Sequence, residues 1–257
     1  MRDHLFIPDT QVHQGVPLAH LHALGNLIVD RRPDVIVMIG DWADMPSLSS
    51  YDRGRRAFEG RRYFQDVEAS INAMSVLLEP LRRLQAQQRR NKSRVYNPFM
   101  VLTLGNHEDR ISRATQESPA LHGTIGIEDL RYEDFGWLVK PFLEPIEIDG
   151  VTYVHYVQND NSPNAIGRAH LISARRHGSF SCGHKPGLDY YVSAGVSPSN
   201  NRRVQSIITG SFYMHDEDYR NYQGNQHWRG VVYKHGVEDG EYDPEFVSIR
   251  RLIAEYQ

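Results

Sequence analysis

A single cysteine, Cys182, stands in 257 residues. That excludes a disulfide framework within the chain, and a reducing compartment is expected. No apolar run approaches the ~20 residues a membrane-spanning helix needs. The N-terminal apolar stretch, Leu5-Phe6-Ile7, is too short for a secretory signal. Internal repeats and low-complexity tracts are lacking, as is any linker long enough to separate domains, so one domain over residues 1–257 is expected. Neither sign of charge dominates: a formal net charge of −3 argues neither for nor against a nucleic-acid partner. What remains, 40% hydrophobic and 24% charged, is an ordinary globular composition. The expected location is cytoplasmic, with no membrane partner.

The apolar pattern alternates strand and helix. Leu5-Phe6-Ile7 reads as a strand, and Leu18, Leu21, Leu24 and Ile28 mark an amphipathic helix over roughly 17–31. Val35-Ile36-Val37-Met38-Ile39 follows as a buried strand, so the chain opens with a βαβ unit and a parallel strand pair. Phe64, Val67, Ile71, Met74, Leu78 and Leu81 mark a long helix over roughly 63–90, with Pro80 predicting a kink or a junction. Phe99-Met100-Val101-Leu102-Thr103-Leu104 is continuous rather than alternating, as in a strand buried on both faces. Beyond it the pattern predicts a helix to about 116, a short helix around 127–135, and extended chain over 138–148. Asp149-Gly150 signals a hairpin with a return strand over 151–156. A helix over 165–176, strands over 179–182 and 204–208, and a last hairpin across Asp239-Gly240 complete the pattern. The expected fold class is α/β (α+β): two sheets in a sandwich flanked by helices.

Polar residues gather just past, or at the end of, the predicted strands. They are Asp9 and Gln11, then Asp41, then Asn106-His107-Glu108 after Gly105, then His155, then His184. A lone histidine or a Gly-Asp turn has an ordinary structural explanation. Five such sites at strand ends point instead to one convergent centre, where open α/β sheets place their ligands. Asn offers a neutral carbonyl oxygen, His a nitrogen ligand or a proton, and Glu an anchor for an imidazole tautomer. Together they suit binuclear metal hydrolysis, in which two divalent ions lie about 3.5–4 Å apart and need a bridging carboxylate. Asp41, an anion with two oxygens directly after a buried strand, is the natural bridge. With no thiolate in the set, Mn, Fe, Zn or Co fits better than a structural sulfur-bound zinc.

The order Asp9-x-Gln11, Gly40-Asp41, Gly105-Asn106-His107-Glu108, His155, Gly183-His184 resembles the calcineurin-like metallophosphoesterases, and Gly210-Ser211 resembles that family's late turn. Asp9-Thr10-Gln11-Val12, Gly40-Asp41-Trp42-Ala43-Asp44-Met45-Pro46-Ser47 and His215-Asp216-Glu217-Asp218-Tyr219 are similar to bacteriophage-encoded members. The resemblance implies that Asp9 binds a first metal, Asp41 bridges, and Asn106, His155 and His184 hold the second. It implies a metal-bridging hydroxide as nucleophile and His107 as a non-ligand catalytic histidine, oriented by Glu108. Two positions depart from the pattern: Gln11 and Pro186 stand where the family has histidines of the first metal. His215 is the candidate replacement, with His13 behind it, and a first site weaker than the second is expected.

The substrate is expected to be a phosphate ester. Arg53, Arg55 and Arg56 follow the Asp41 loop and are candidates to contact its phosphate. Arg82, Arg83, Arg89, Arg90, Lys92 and Arg94 read as a solvated helical face. Tyr190, Tyr191, Phe212 and Tyr213 are candidates for stacking on a base, against an ordinary core role. The first expectation is a phosphodiesterase acting on a nucleotide or nucleic acid, DNA or RNA. The alternatives are a phosphomonoesterase, including a protein phosphatase, and a scaffold that has lost turnover.

Overall fold

Leu5 and Ile7 face one apolar cluster while Phe6 faces another, and Val35, Val37, Ile36 and Met38 divide in the same way. Successive side chains on a strand point to opposite faces, so a continuous apolar run is what a strand between two cores requires. The computed structural model describes residues 1–52, 54–193, 202–217 and 221–257. Its first strands are β1 (Arg2–Ile7), β2 (Val35–Met38), β3 (Phe99–Thr103), β4 (Leu138–Lys140), β5 (Ile146–Ile148) and β6 (Val151–Tyr153). After them come β7 (Gln158–Asn159), β8 (Ser162–Ala165), β9 (Ser179–Cys182), β10 (Asp189–Ser193), β11 (Val204–Ile208), β12 (Gly230–Glu238) and β13 (Glu241–Ser248). The helices are α1 (Ala19–Arg31), α2 (Tyr63–Arg90), α3 (Asp109–Glu117), α4 (Ala169–Arg176), α5 (Asn221–Gly224) and α6 (Ile249–Tyr256).

Among the described residues the chain is a mixed α/β protein with several sheets covered by helices and no closed barrel. One sheet has the order β13-β12-β1-β2-β3-β4 and the other β10-β11-β9-β6-β5. The strands β1, β2, β3 and β4 run parallel, as do β6, β9 and β11. The sheets share a core of Phe6, Val37, Val101 and Val232 against Ile148, Val151, Tyr153 and Ile207. Leu24 and Ile28 of α1, Met74 and Leu77 of α2, and Leu252 of α6 cover the far face of the first sheet. Ala169 and Ile172 of α4 cover the second, against Cys182 and Ile208.

Several predicted elements change shape. Helix α2 runs as one element and does not divide at Pro80, which is buried. A Cβ at Gly25 of α1 would lie 2.5 Å from the Leu77 carbonyl and 2.9 Å from Pro80 Cγ, so the two helices meet at the proline and hold it. The short helix around 127–135 is two 3-10 turns, Ile127–Leu130 and Glu133–Phe135. The stretch predicted extended over 138–148 is two strands in different sheets, with Leu143 between them at φ 63°. The return strand ends at Tyr153, so His155 lies beyond it. Ala165, predicted to open a helix, instead closes β8, which pairs with β7, and α4 starts at Ala169. Among the described residues no helix is long and apolar enough to cross a membrane.

Candidate metal centre

The parallel strands end at one side of the molecule and deliver their following residues there: Asp9 after β1, Asp41 after β2, Asn106 after β3, His155 after β6 and His184 after β9. Asp41, His155 and His184 each offer a ligand atom within 4.8 Å of the others, a group that could hold a metal ion. His155 Nε2 lies 3.4 Å from Asp41 Oδ2. Asn106 Oδ1 lies 3.0 Å from that nitrogen and 2.7 Å from His184 Nδ1. On its other side, His155 Nδ1 meets the Ile39 carbonyl at 2.8 Å, which accepts a proton but cannot give one. That contact places the ring proton on Nδ1 and leaves Nε2 for a cation. Carboxylate, amide oxygen and imidazole thus converge as a donor set that fits a divalent ion of the first transition row.

The backbone is shaped around these groups. A Cβ at Gly105 would fall 2.1 Å from Asp41 Oδ1, and one at Gly183 would fall 2.2 Å from Asp9 Oδ1. Both glycines therefore leave room for a carboxylate. Gln11, Asp41 and His184 have φ of 46°, 49° and 65°, in the left-handed region that non-glycine residues seldom adopt. Such conformations persist only where surrounding contacts enforce them, and they cluster at functional sites. Here the Asp41 carbonyl accepts the Thr10 and Gln11 amides at 3.0 and 2.8 Å, and Asp9 accepts the His184 amide on both oxygens at 3.0 and 2.9 Å.

Electrostatics ties the group together. Asp9 and Asp41 are both buried. Burial pushes Asp9 up to about 8, with Asp41 adding to the rise and His155 opposing it. Burial works the same way on Asp41, but the neighbouring His107 and His155 outweigh it and hold this carboxyl well below its usual range. His155 is opposed by burial yet raised to about 9 by Asp41, and His184 is lowered to about 4 by burial and by His155. The Asp41 carboxylate and the neutral His184 imidazole are thus held in the deprotonated forms that a cation takes as ligands.

His107 is anchored by a residue the sequence reading missed. Its Nδ1 lies 2.6 Å from Asp44 Oδ1, and its Nε2 faces Asp41 Oδ2 at 3.7 Å and Arg110 Nη2 at 3.3 Å. Burial lowers the affinity of His107 for a proton, but Asp41 and Asp44 raise it above the ordinary value. Contrary to the expectation from sequence, Glu108 does not orient His107. It is fully buried and accepts the amides of Asp41 (2.9 Å), Ala43 (3.0 Å) and Gly105 (2.9 Å) and the Tyr132 hydroxyl (3.2 Å). Its carboxylate staples the two loops that carry Asp41 and Asn106. The signal for Asp44 was present in Gly40-Asp41-Trp42-Ala43-Asp44, three residues past the bridge candidate.

The remaining candidates separate. Asp9 stands within electrostatic reach of Asp41, His155 and His107, and Gln11 touches the centre through its amide on Asp41. His215 lies outside the ion-holding group. Its ring stacks on Tyr213 at 4.8 Å and meets His13 edge-on at 4.9 Å. Arg53 lies outside the described residues. Arg55 is exposed and pairs with Asp52 at 3.9 Å, and Arg56 is exposed on a short 3-10 turn. Among the described residues no hydrogen bond or ion pair joins Arg55 or Arg56 to the centre; the cations beside it include Arg110 and Arg113 of α3, where the sequence showed only a polar helix. Phe212 and Tyr213 are fully buried, and Tyr190 accepts the Gln205 amide in the sheet, so these three are core residues. The aromatic ring against the centre is Tyr156.

Compared in sequence, the chain matches no protein-family model and no curated protein.

Proposed function

We propose that the chain is a metal-dependent phosphoesterase with the calcineurin-like metallophosphoesterase fold in a single domain, and that it hydrolyses a phosphodiester of a nucleotide or nucleic acid. The observation that carries this reading is the juxtaposition of two devices. Asp41, His155 and His184, with the Asn106 amide oxygen beside them, form a group that could hold a cation, and a His107–Asp44 pair outside that group stands 3.7 Å from Asp41. A purely structural metal site has no use for the second device.

Asp41, Asn106, His155 and His184 would hold one ion, and Asp9 and Gln11, with Asp41 shared, a second and looser one; Mn²⁺ is the first choice for both. When bound, such ions supply Lewis acidity and acidify water at neutral pH. The chain's own residues do the rest. The Asp44 carboxylate accepts the Nδ1 proton of His107 and fixes the ring, leaving Nε2 to carry the proton that a departing ester oxygen needs. Arg110 keeps its Nη1 on the Asp44 carbonyl (2.6 Å) and turns Nη2 toward the same spot. A guanidinium in that position stabilises charge on a phosphoryl oxygen. Glu108 holds the Asp41 and Asn106 loops in register throughout.

The test offers the Mn²⁺-loaded protein bis-p-nitrophenyl phosphate and p-nitrophenyl phosphate. Turnover of the diester is expected, falling by roughly 10²–10⁴-fold in His107→Ala. Preference for the monoester would shift the reading to a phosphomonoesterase. No turnover of either ester with Mn, Fe, Zn or Co would leave a binding scaffold and overturn the enzyme.

A further inference from the structure

The centre has two unlike walls. One is cationic and comes from α3: Arg110 faces His107 as described, and Arg113 donates to the Asn106 carbonyl at 3.1 Å. The other is aromatic and comes from the chain just past β6. The Tyr156 ring lies against the His184 imidazole with centroids 4.7 Å apart and planes tilted by 41°. It also approaches His155 at 5.7 Å and meets Phe142 edge-on at 5.8 Å, while Phe142 lies 6.1 Å from His155. Tyr156 and Phe142 are half-buried, unlike Phe212 and Tyr213, which are sealed in the core. An aromatic pair left partly open beside two ligand histidines is surface that costs solvation until something flat covers it.

We propose that Tyr156, backed by Phe142, is the shelf on which the nucleobase of the substrate stacks while its phosphate sits between Arg110 and the Asp41–His155–His184 group. The proposal rests on the phosphodiesterase reading and names the substrate as a nucleoside-bearing ester. With its phosphoryl oxygens engaged by Arg110 and the Asp41–His155–His184 group, the ester carries its substituent past the two histidines, and the ring that lies against them is Tyr156. Stacking reads the π-face that every base has, so the shelf selects for a base without selecting which base. Tyr156 is then a specificity-determining residue, and Phe142 a positioning residue that limits the tilt of the Tyr156 ring.

The test is calorimetric binding to the full chain with Mn²⁺, using the phosphorothioate diesters thymidine 5′-(O-methyl phosphorothioate) and base-free deoxyribose 5-(O-methyl phosphorothioate). Because it reads binding, it is independent of turnover and can fail or succeed separately from the ester assay above. The thymidine ligand is expected to bind about tenfold or more tightly than the base-free one. Tyr156→Leu is expected to erase that difference, Tyr156→Trp to keep it, and neither to change Mn²⁺ affinity. Equal binding of the two ligands by the unmodified chain would overturn the shelf, and so would binding of neither. If Tyr156→Leu weakened Mn²⁺ and both ligands together, the ring would be a brace for His184 and the proposal would be wrong.

Discussion

Among the described residues, two groups of polar side chains that are wholly or partly buried are built on opposite plans. At the strand ends, Asp41, Asn106, His155 and His184 bring acceptor atoms toward one another. Between the sheets, Lys234 is fully buried and donates to the hydroxyls of Tyr153 (3.1 Å) and Ser181, with the Tyr153 and Tyr242 rings 4.4 and 4.6 Å from its nitrogen. The Tyr153 hydroxyl continues to His4 Nδ1 (2.8 Å), His4 Nε2 to Asp149 (2.8 Å), and Asp149 to Arg2 at the surface (2.7 Å). That chain is closed, since each donor finds an acceptor within the protein. Burial drives the Lys234 amine far below its ordinary value and His4 down to about 4, so both give up their charge. The lesson is that burial alone does not mark a site. An inter-sheet network that satisfies itself is structural, whereas a cluster of convergent acceptors calls for a cation from outside.

The largest break in this comparison comes at His107. Asp44→Asn should lower diester turnover by about 100-fold, because the imidazole loses its anionic anchor. Mn²⁺ affinity should change little, since Asp44 is no member of the ion-holding group. Steady-state kinetics beside a metal titration separates the two, and equal losses in both would make Asp44 a structural ligand instead.

Glu108→Gln is the next largest. The amide oxygen can keep the Asp41 and Gly105 amides, which share one Glu108 oxygen, but the new NH2 then faces the Ala43 amide and leaves it unpaired, so a loss of about 2–4 kcal/mol in unfolding free energy is expected. Denaturant unfolding measures it, and a change below about 0.5 kcal/mol would show that the staple is unimportant. These two residues also mark where sequence reasoning stopped. Glu108 is the chain neighbour of His107, yet the two side chains take different partners. The true partner, Asp44, is distant in sequence and close in space. The strand-end residues themselves were legible because continuous apolar runs announce where parallel strands stop. Arg110 was not, since a charge on a short polar helix looks the same whether it faces solvent or a site. The β7–β8 hairpin was missed because its polar residues carry no alternation.

The smallest effect sharpens the inter-sheet side. The folded protein binds a proton on Lys234 less readily than the unfolded chain does, so the unfolded state holds more protons at neutral pH. Stability should therefore rise from pH 7 toward about pH 10, near the ordinary lysine value. Lys234→Met should flatten that rise while leaving diester turnover and Mn²⁺ binding unchanged, as read from urea unfolding at several pH values. An unaltered slope would mean that the amine stays charged in the fold.

The account as a whole turns on whether the strand-end acceptors hold an ion. Calorimetric titration of the metal-free chain with Mn²⁺, beside Asp41→Asn, measures this directly. One tight ion per chain, with a second that binds more weakly, is expected for the unmodified protein, and loss of the tight ion for the variant. Absence of any tight ion, or a tight ion that survives Asp41→Asn, would contradict the account.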